Sequence, residues 1–379
     1  MSYHGHFEQH KQPKKKRGLR IFLIILAVLL VIGAGAVAAG AVYYNRMMNK
    51  MNIIELPEDT YVYTEPTVLT EATEAAADAT AASTEVTTEP TTVVTEPPKA
   101  TAEDIINILV AGQSSRAGEE SSMADTTMLV SLNTFDGTVT VFSVLRDSYV
   151  KLPDYKGHVC GRAKFTVCYG LGYNWGGTAG AMEMTNICMK NNFGVEVDHN
   201  IEIDFESFIR VVDLMGGIEI ELTEAEAKYL NEDDLYVKYD VQPGLQYLDG
   251  MAALSYARMR KAEGDNDSDI KRSARQRLVI EKLLDKVRGL SLAELQSVAD
   301  TLLPEITTTM TPGDIVTILT RVLPVFKDIH IVGETIPYGK TGWGEIIDIY
   351  EDGIPDSVIK FETAQQHKLI RAITEAEVS

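Results

Sequence analysis

The chain has 379 residues, a net charge of −20 and 45% hydrophobic residues. That acidity excludes a general nucleic-acid binder, which needs a broad basic surface, so no nucleic acid is expected as a partner. Three cysteines, Cys160, Cys168 and Cys188, are too few for a disulfide scaffold.

Residues 1–20 form a basic tail with Lys11, Lys14, Lys15, Lys16, Arg17 and Arg20. Residues 21–44 carry no charge and are rich in Ile, Leu, Val, Ala and Gly. A bilayer core needs roughly 20 such residues in a helix, so a single N-terminal transmembrane helix is expected. The preceding cations keep the N-terminus in the cytoplasm and send the chain after Tyr44 to the outside. A cleaved signal peptide is the competing reading, but its apolar region would be shorter, roughly 7–15 residues. Residues 45–100 are dominated by Thr, Glu, Ala and Pro, as in Thr84-Glu85-Val86-Thr87-Thr88-Glu89-Pro90. Such a segment buries too little apolar area to offset its ordering entropy, and a disordered acidic stalk is expected. The folded domain is expected over 101–379, outside the cell. There, a Cys160–Cys168 bridge competes with the plainer reading of small buried side chains.

Ile105 to Val110 reads as a buried strand ending at Gly112. Thr127–Leu132 and Thr138–Val144 read as a hairpin, with Asp136-Gly137 in the turn. Gly180 to Asn191 looks helical. Ile201 and Ile203 form a short strand before a helix from Phe205 to Met215. Gly216-Gly217 stops that helix, and Ile218–Leu222 resumes as strand. Asp249 caps a helix to about Ala257. Another helix starts near Asp269 and runs to Gly289. Further helical patterns cover Leu292–Leu303, Gly313–Phe326 and Asp356–Ile373. Strands mixed with helices indicate an α/β layered domain.

The chemistry is concentrated in cations. At 100° per residue, Arg272, Arg275 and Gln276 share a stripe with the apolar Val279, Leu283 and Val287. Buried arginines are costly unless acidic side chains or an anionic ligand meet them. The helix N-terminus adds a positive dipole end. Arg258 and Arg260, if extended, project the same way at i and i+2. Arginine suits phosphate because its planar fork holds two oxygens at once. Asp125 opens one hairpin strand and Arg146-Asp147 comes just after its partner, so antiparallel pairing brings them together. Carboxylates at one end of a sheet can hold Mg²⁺ against substrate phosphates. Lys164 is a weaker point-charge contact, and Tyr169 and Trp175 line either an apolar ligand or the core.

In this order, Ala124-Asp125-Thr126, Arg146-Asp147, Lys164 with Tyr169, Ile203-Asp204-Phe205, Val212-Asp213-Leu214-Met215-Gly216-Gly217, Leu248-Asp249-Gly250, Tyr256-Ala257-Arg258-Met259-Arg260 and Arg272-Ser273-Ala274-Arg275-Gln276-Arg277 resemble the LytR-CpsA-Psr family of bacterial cell envelopes. The resemblance covers roughly 105–290. It implies a three-layer α/β domain, its central mixed β-sheet flanked by helices, with a hydrophobic pocket for a polyprenyl tail. It implies transfer of a phosphate-linked glycopolymer (teichoic acid, capsule or similar) from a polyprenyl pyrophosphate carrier to peptidoglycan at the membrane. Asp125 would bind Mg²⁺, and Asp125, Arg146 and Asp147 would form the catalytic set. Arg116, Arg146, Lys164, Arg258, Arg260, Arg272, Arg275 and Gln276 would hold the pyrophosphate, with Asp147 and Asp269 orienting arginines. The family commonly has an acidic residue in the loop after the first strand, where this chain reads Gly112-Gln113-Ser114-Ser115-Arg116. It also commonly has Arg and Pro where this chain has Met123 and Leu145. A non-catalytic polyprenyl-phosphate receptor and a polyprenyl pyrophosphate hydrolase are the alternatives.

Overall fold

An edge strand, β1 (Asn52–Ile53), and a central strand, β2 (Ile105–Gln113), join one sheet for different reasons. The near-continuous apolar run of β2 suits a strand covered on both faces. The edge strand β1 joins through its backbone: Asn52 N donates to the Ile306 carbonyl at 3.3 Å and Ile54 N to the Thr308 carbonyl at 2.9 Å. An open sheet edge offers such groups to any extended segment. The computed structural model describes residues 49–57, 100–113, 124–233, 239–259, 262, 268–290, 294, 304, 306–326, 328–338, 345–351 and 354–374. The chain divides into two units, Met1–Met51 and Asn52–Ser379. In the first, only residues 49–51 are described. The expected membrane span, 21–44, lies outside the described residues, among which no helix is long and apolar enough to cross a membrane. The expected stalk, 45–100, needs correction where β1 enters the sheet; its residues 58–99 also lie outside the described residues.

The hairpin expected next is present as β3 (Ala124–Asn133) and β4 (Thr138–Val144). Its turn is held by Asn133 Oδ1, which accepts from Phe135 N at 2.9 Å, and by Asp136 Oδ1, which accepts from Thr138 N at 2.8 Å. A small pair comes next, β5 (Tyr149–Lys151) and β6 (Arg162–Lys164), and then a long helix α1 (Phe165–Phe193). The expectation for this region, a helix over Gly180–Asn191 only, is too short. The helix breaks at Gly177 (φ 63°, ψ −157°) and doubles back. Its two halves touch where a Cβ on Gly172 would meet the Gly180 carbonyl oxygen at 2.4 Å. Glycine, which weakens an isolated helix, is what lets these halves pack.

Then come β7 (His199–Asp204), α2 (Phe205–Leu214), β8 (Ile218–Leu222), α3 (Glu224–Lys228), β9 (Gly244–Leu248), α4 (Gly250–Arg258) and α5 (Ser268–Gly289). Asp249 caps α4, accepting from Ala252 N at 2.8 Å. The chain closes with β10 (Thr307–Thr308), α6 (Pro312–Val322), β11 (His330–Ile336), β12 (Glu345–Glu351), β13 (Ile354–Lys360) and α7 (Thr363–Thr374). The helix expected over Asp356–Ile373 is therefore wrong in its first part. Residues Ile354–Lys360 pair with Glu345–Glu351, burying Val358, and Ile359 N donates to the Asp147 carbonyl at 2.8 Å. Tertiary pairing overrides a local helical pattern there. The helix expected over Leu292–Leu303 lies outside the described residues except for Glu294, which is helical.

Seven strands form the main sheet in the order β1-β10-β7-β2-β3-β4-β11, with parallel and antiparallel neighbours. One face buries Leu109, Leu129, Phe142 and Val144 against Phe165, Met184 and Phe193 of α1 and Ile370 of α7. The other buries Ile106, Met128, Leu132 and Val141 beneath Ile280 of α5 and Ile318 of α6. This is the expected three-layer arrangement. A second core, built from Ile218, Ile220, Leu248, Ala253, Tyr256 and Val279, packs the β8–β9 hairpin against α4 and α5. The three cysteines are free thiols, with Cys168 and Cys188 fully buried, so the Cys160–Cys168 bridge is absent.

Candidate active site

Three hydrogen bonds tie one end of the sheet to the start of α1. Thr166 Oγ1 donates to the Ala124 carbonyl at 3.3 Å, Thr166 N to the Arg146 carbonyl at 3.1 Å and Phe165 N to the Ser148 carbonyl at 2.9 Å. The first residue of β3, the segment after β4 and the first turn of α1 therefore meet. Lys164 precedes α1 directly, and its Nζ lies 3.1 Å from Asp147 Oδ1. Arg146 Nε lies 3.7 Å from the same oxygen. The three side chains are 19–25% exposed, open enough to reach a ligand. Arg146, Asp147 and Lys164 thus lie together.

The adjoining strand is irregular at one residue. Gly112 pairs with Thr126 and Gln113 with Ala124, which leaves Asp125 as the extra residue of a bulge. Bulges bend a strand locally and occur often beside active sites. From the opposite face α5 reaches the same place: Gln276 Nε2 donates to Thr126 Oγ1 at 2.9 Å. Arg272, one turn earlier, is buried. Asp269 lies in the first turn of α5. Arg116 and Arg260 fall outside the described residues.

Two of the expected pyrophosphate arginines are engaged otherwise. Arg275 Nε donates to Glu226 Oε1 at 2.7 Å and its Nη1 to the Met259 carbonyl at 3.2 Å. Both partners of that ion pair are under 10% exposed. Of the two ways to satisfy a buried arginine, an acid or an anionic ligand, Arg275 uses the acid. Glu226 is itself fixed, since its Oε2 accepts from Thr223 N and Oγ1, each at 3.0 Å. Burial, and then Glu226, push the neighbouring Tyr256 phenol up to about 12. Arg258 is the last residue of α4 rather than part of an extended tail, and its guanidinium lies 4.6 Å from the centroid of the Phe205 ring. Arg277, on the opposite side of α5, crosses to the sheet and donates from Nη1 to Ser143 Oγ at 2.9 Å and to the Glu334 carbonyl at 3.1 Å.

A polar group that sequence reasoning missed lies beneath the end of β2. The Tyr169 hydroxyl donates to Glu202 Oε2 and accepts from Gln113 Nε2 at 3.4 Å. Burial holds the Glu202 carboxyl above its ordinary range; the Tyr169 bond pulls it down and Asp204 pushes it further up. Nothing local in the sequence joins residues 169 and 202. Glu226 did carry a signal, the capping box Thr223-Glu224-Ala225-Glu226. Trp175 stacks on His158, with ring centroids 4.2 Å apart.

The geometry is matched by relatedness. The LytR_cpsA_psr family model matches residues 66–350. The chain belongs to the LytR-CpsA-Psr family. It is 30% identical over 193 residues to the polyisoprenyl-teichoic acid–peptidoglycan teichoic acid transferase TagT of Bacillus subtilis, covering 50% of this chain and 55% of TagT. It is 29% identical over 184 residues to biofilm regulatory protein A of Streptococcus mutans, covering 47% and 42% of the two chains. The chain spans about half the length of the curated relatives it matches. Among solved structures, a Streptococcus agalactiae protein, gbs0355, superposes with a TM-score of 0.59 at 23% identity, over 73% of this chain and 90% of that one. TagT bound to LIIa-WTA gives 0.53 at 23% identity, over 72% and 89%. TagT with bound octaprenyl pyrophosphate lipid gives 0.50 at 20% identity, over 72% and 91%. These likenesses show the fold.

Proposed function

We propose that this chain transfers a phosphate-linked glycopolymer from a polyprenyl pyrophosphate carrier to a hydroxyl of peptidoglycan. The observation that carries the reading is the convergence of Arg146 and Lys164 on one carboxylate, Asp147, beside the bulged Asp125. Two partly exposed cations at a sheet end are suited to pyrophosphate: arginine as a two-oxygen fork, lysine as a point charge. The relatives named as teichoic acid transferases and the octaprenyl pyrophosphate held by TagT support the same substrate class.

Catalysis then rests on positioning and charge. Arg146 and Lys164 hold the pyrophosphate oxygens, Asp147 keeps both cations aligned, and Gln276 with Thr126 fixes α5 against β3. The acceptor oxygen attacks the glycan-linked phosphorus and polyprenyl phosphate leaves. Mg²⁺ asks for only one or two carboxylates beside phosphate oxygens and water, and the carboxylate that would supply one is Asp125. When bound there, the ion would neutralise phosphate charge. We place the site outside the cell, on a chain anchored through 21–44, because the basic tail and the apolar run call for that orientation.

The test is transfer itself. Purified full-length chain, Mg²⁺, labelled lipid-linked glycan and peptidoglycan oligomers should yield glycan-bearing peptidoglycan and free polyprenyl phosphate. Lipid binding without transfer would leave a receptor, and cleavage without acceptor would leave a hydrolase.

A further inference from the structure

The acceptor hydroxyl must lose a proton when it attacks, and the carboxylates nearest the cations are poor receivers. Asp147 already pairs with two cations, lying 3.1 Å from Lys164 and 3.7 Å from Arg146. Glu226 is committed to Arg275, and Asp204 caps α2 by accepting from Ser207 N at 2.7 Å. Glu202 differs from all three. Among the described residues its hydrogen-bond partner is a neutral phenol, Tyr169.

We propose that Glu202 is the proton acceptor of the reaction, reached through the Tyr169 hydroxyl. The inference rests on the transfer reading above. Tyr169 comes after Lys164 and Thr166 in the first turns of α1, and its ring packs with Ala111, Ala124 and Tyr173. Ala124 adjoins the bulged Asp125, and Gln113, which bonds the phenol, is the last residue of β2. The phenol ring therefore packs beside the first residue of β3, whose carbonyl accepts from Thr166 Oγ1. The groups around Glu202 are Asp204 on its own strand, Ala111 and Gln113 on β2, Thr307 on β10, and Tyr169 and Tyr173 from α1. Among the described residues, none of these is a cation. A carboxyl in that setting keeps an affinity for protons closer to neutral pH, which is what a general base needs.

In the step, the acceptor's proton moves to the Tyr169 oxygen while Tyr169's own proton moves to the Glu202 carboxylate. The new O–P bond forms, the P–O bond to polyprenyl phosphate breaks, and its electron pair leaves on that phosphate. Glu202 later returns its proton to water.

The experiment measures transfer rate against pH for the full chain and for Glu202→Gln, Glu202→Asp and Tyr169→Phe, together with melting temperature and the affinity for octaprenyl pyrophosphate. Wild type should lose rate as pH falls and Glu202 takes up its proton. Glu202→Gln and Tyr169→Phe should lower kcat by about 100- to 10,000-fold, the span of general-base catalysis, with lipid affinity within about threefold of wild type. Glu202→Gln should also lose the acid limb of the profile, and Glu202→Asp should retain a shifted one. A Glu202→Gln chain within about threefold of wild-type rate, or one keeping the same acid limb, overturns the proposal, since loss of a general base costs far more than that. So does a loss of lipid affinity and melting temperature in step with rate in both Glu202→Gln and Tyr169→Phe. A wild-type chain that binds the lipid yet transfers nothing at any pH defeats the functional reading first, and the proton step with it.

Discussion

Two arginine–acid meetings arise from the same cation cluster, and they differ in kind. At the sheet end, Arg146 and Lys164 share Asp147 at 3.7 and 3.1 Å, with side chains 19–25% exposed. In the second core, Arg275 meets Glu226 at 2.7 Å with both side chains under 10% exposed. The first shares one carboxylate between two cations that solvent, and so a ligand, can reach. The second is buried, with the carboxylate further tied to Thr223. Arginine count in a sequence therefore overstates a binding site; the local arrangement of acid and base and the access of water decide which arginines serve a ligand.

The largest effect should come from the closed pair. Removing one partner of a buried ion pair strands the other charge, at a cost of about 3–5 kcal/mol. Arg275→Met and Glu226→Gln should each lower unfolding free energy by that amount in urea titration. The double variant Arg275→Met/Glu226→Leu should recover most of it, because an apolar pair of similar volume is often no worse than the ions. If Arg275→Met instead folds normally and loses pyrophosphate affinity alone, the two meetings are not different after all.

At the open pair the order reverses. Arg146→Ala and Lys164→Ala should each weaken pyrophosphate binding by about 1.5–3 kcal/mol, the value of hydrogen bonds to charged groups. Their cost in stability should stay within about 1 kcal/mol, as for other solvent-reached ion pairs. Calorimetric titration with octaprenyl pyrophosphate, alongside urea unfolding, separates the two quantities for each variant.

This division was only half legible in the sequence. Ile105–Val110, Thr127–Leu132 and Thr138–Val144 carry strong strand patterns with a turn between the last two, and the sheet end they define holds Arg146 and Lys164. Asp249 and the Gly216-Gly217 stop were equally local signals. The bulge at Asp125 has no such signature, since it depends on the register of β2 against β3. Arg275 and Glu226 are 49 residues apart and meet only through tertiary packing of α3 on α5. The first half of α1 was lost because Gly170, Gly172, Gly176 and Gly177 argue against a lone helix, whereas two helical halves in contact need small residues at the crossing. Residues 356–360 of β13 read as the start of a helix because β13 is held by pairing with β12, not by a periodic face.

Arg258 lies between the two cases. Its guanidinium is stacked on Phe205, the first residue of α2, while its residue position remains the one the family resemblance gives to pyrophosphate. A cation over an aromatic face is worth about 0.5–1 kcal/mol at an exposed site. Phe205→Leu should therefore cost about that much in stability from the stacking alone. If Arg258 belongs with the open set, Phe205→Leu should also change pyrophosphate affinity by releasing the guanidinium. If it belongs with the closed set, affinity should not move.

The smallest effect should come from Asp147→Asn. Glu226→Gln removes a charge that its surroundings cannot replace; Asp147→Asn removes one whose partners, Arg146 and Lys164, can turn to water. Pairs of that exposure are worth about 0–1 kcal/mol, so urea unfolding should register little. Pyrophosphate affinity at low salt should hold or rise, because the anion no longer competes with a carboxylate for the two cations, and added salt should narrow the difference. Turnover should fall even so, since Asp147 is what keeps both cations in one geometry. A large loss of stability in Asp147→Asn would mean that the sheet end is as closed as the second core, and the contrast between the two arginines would have no physical basis.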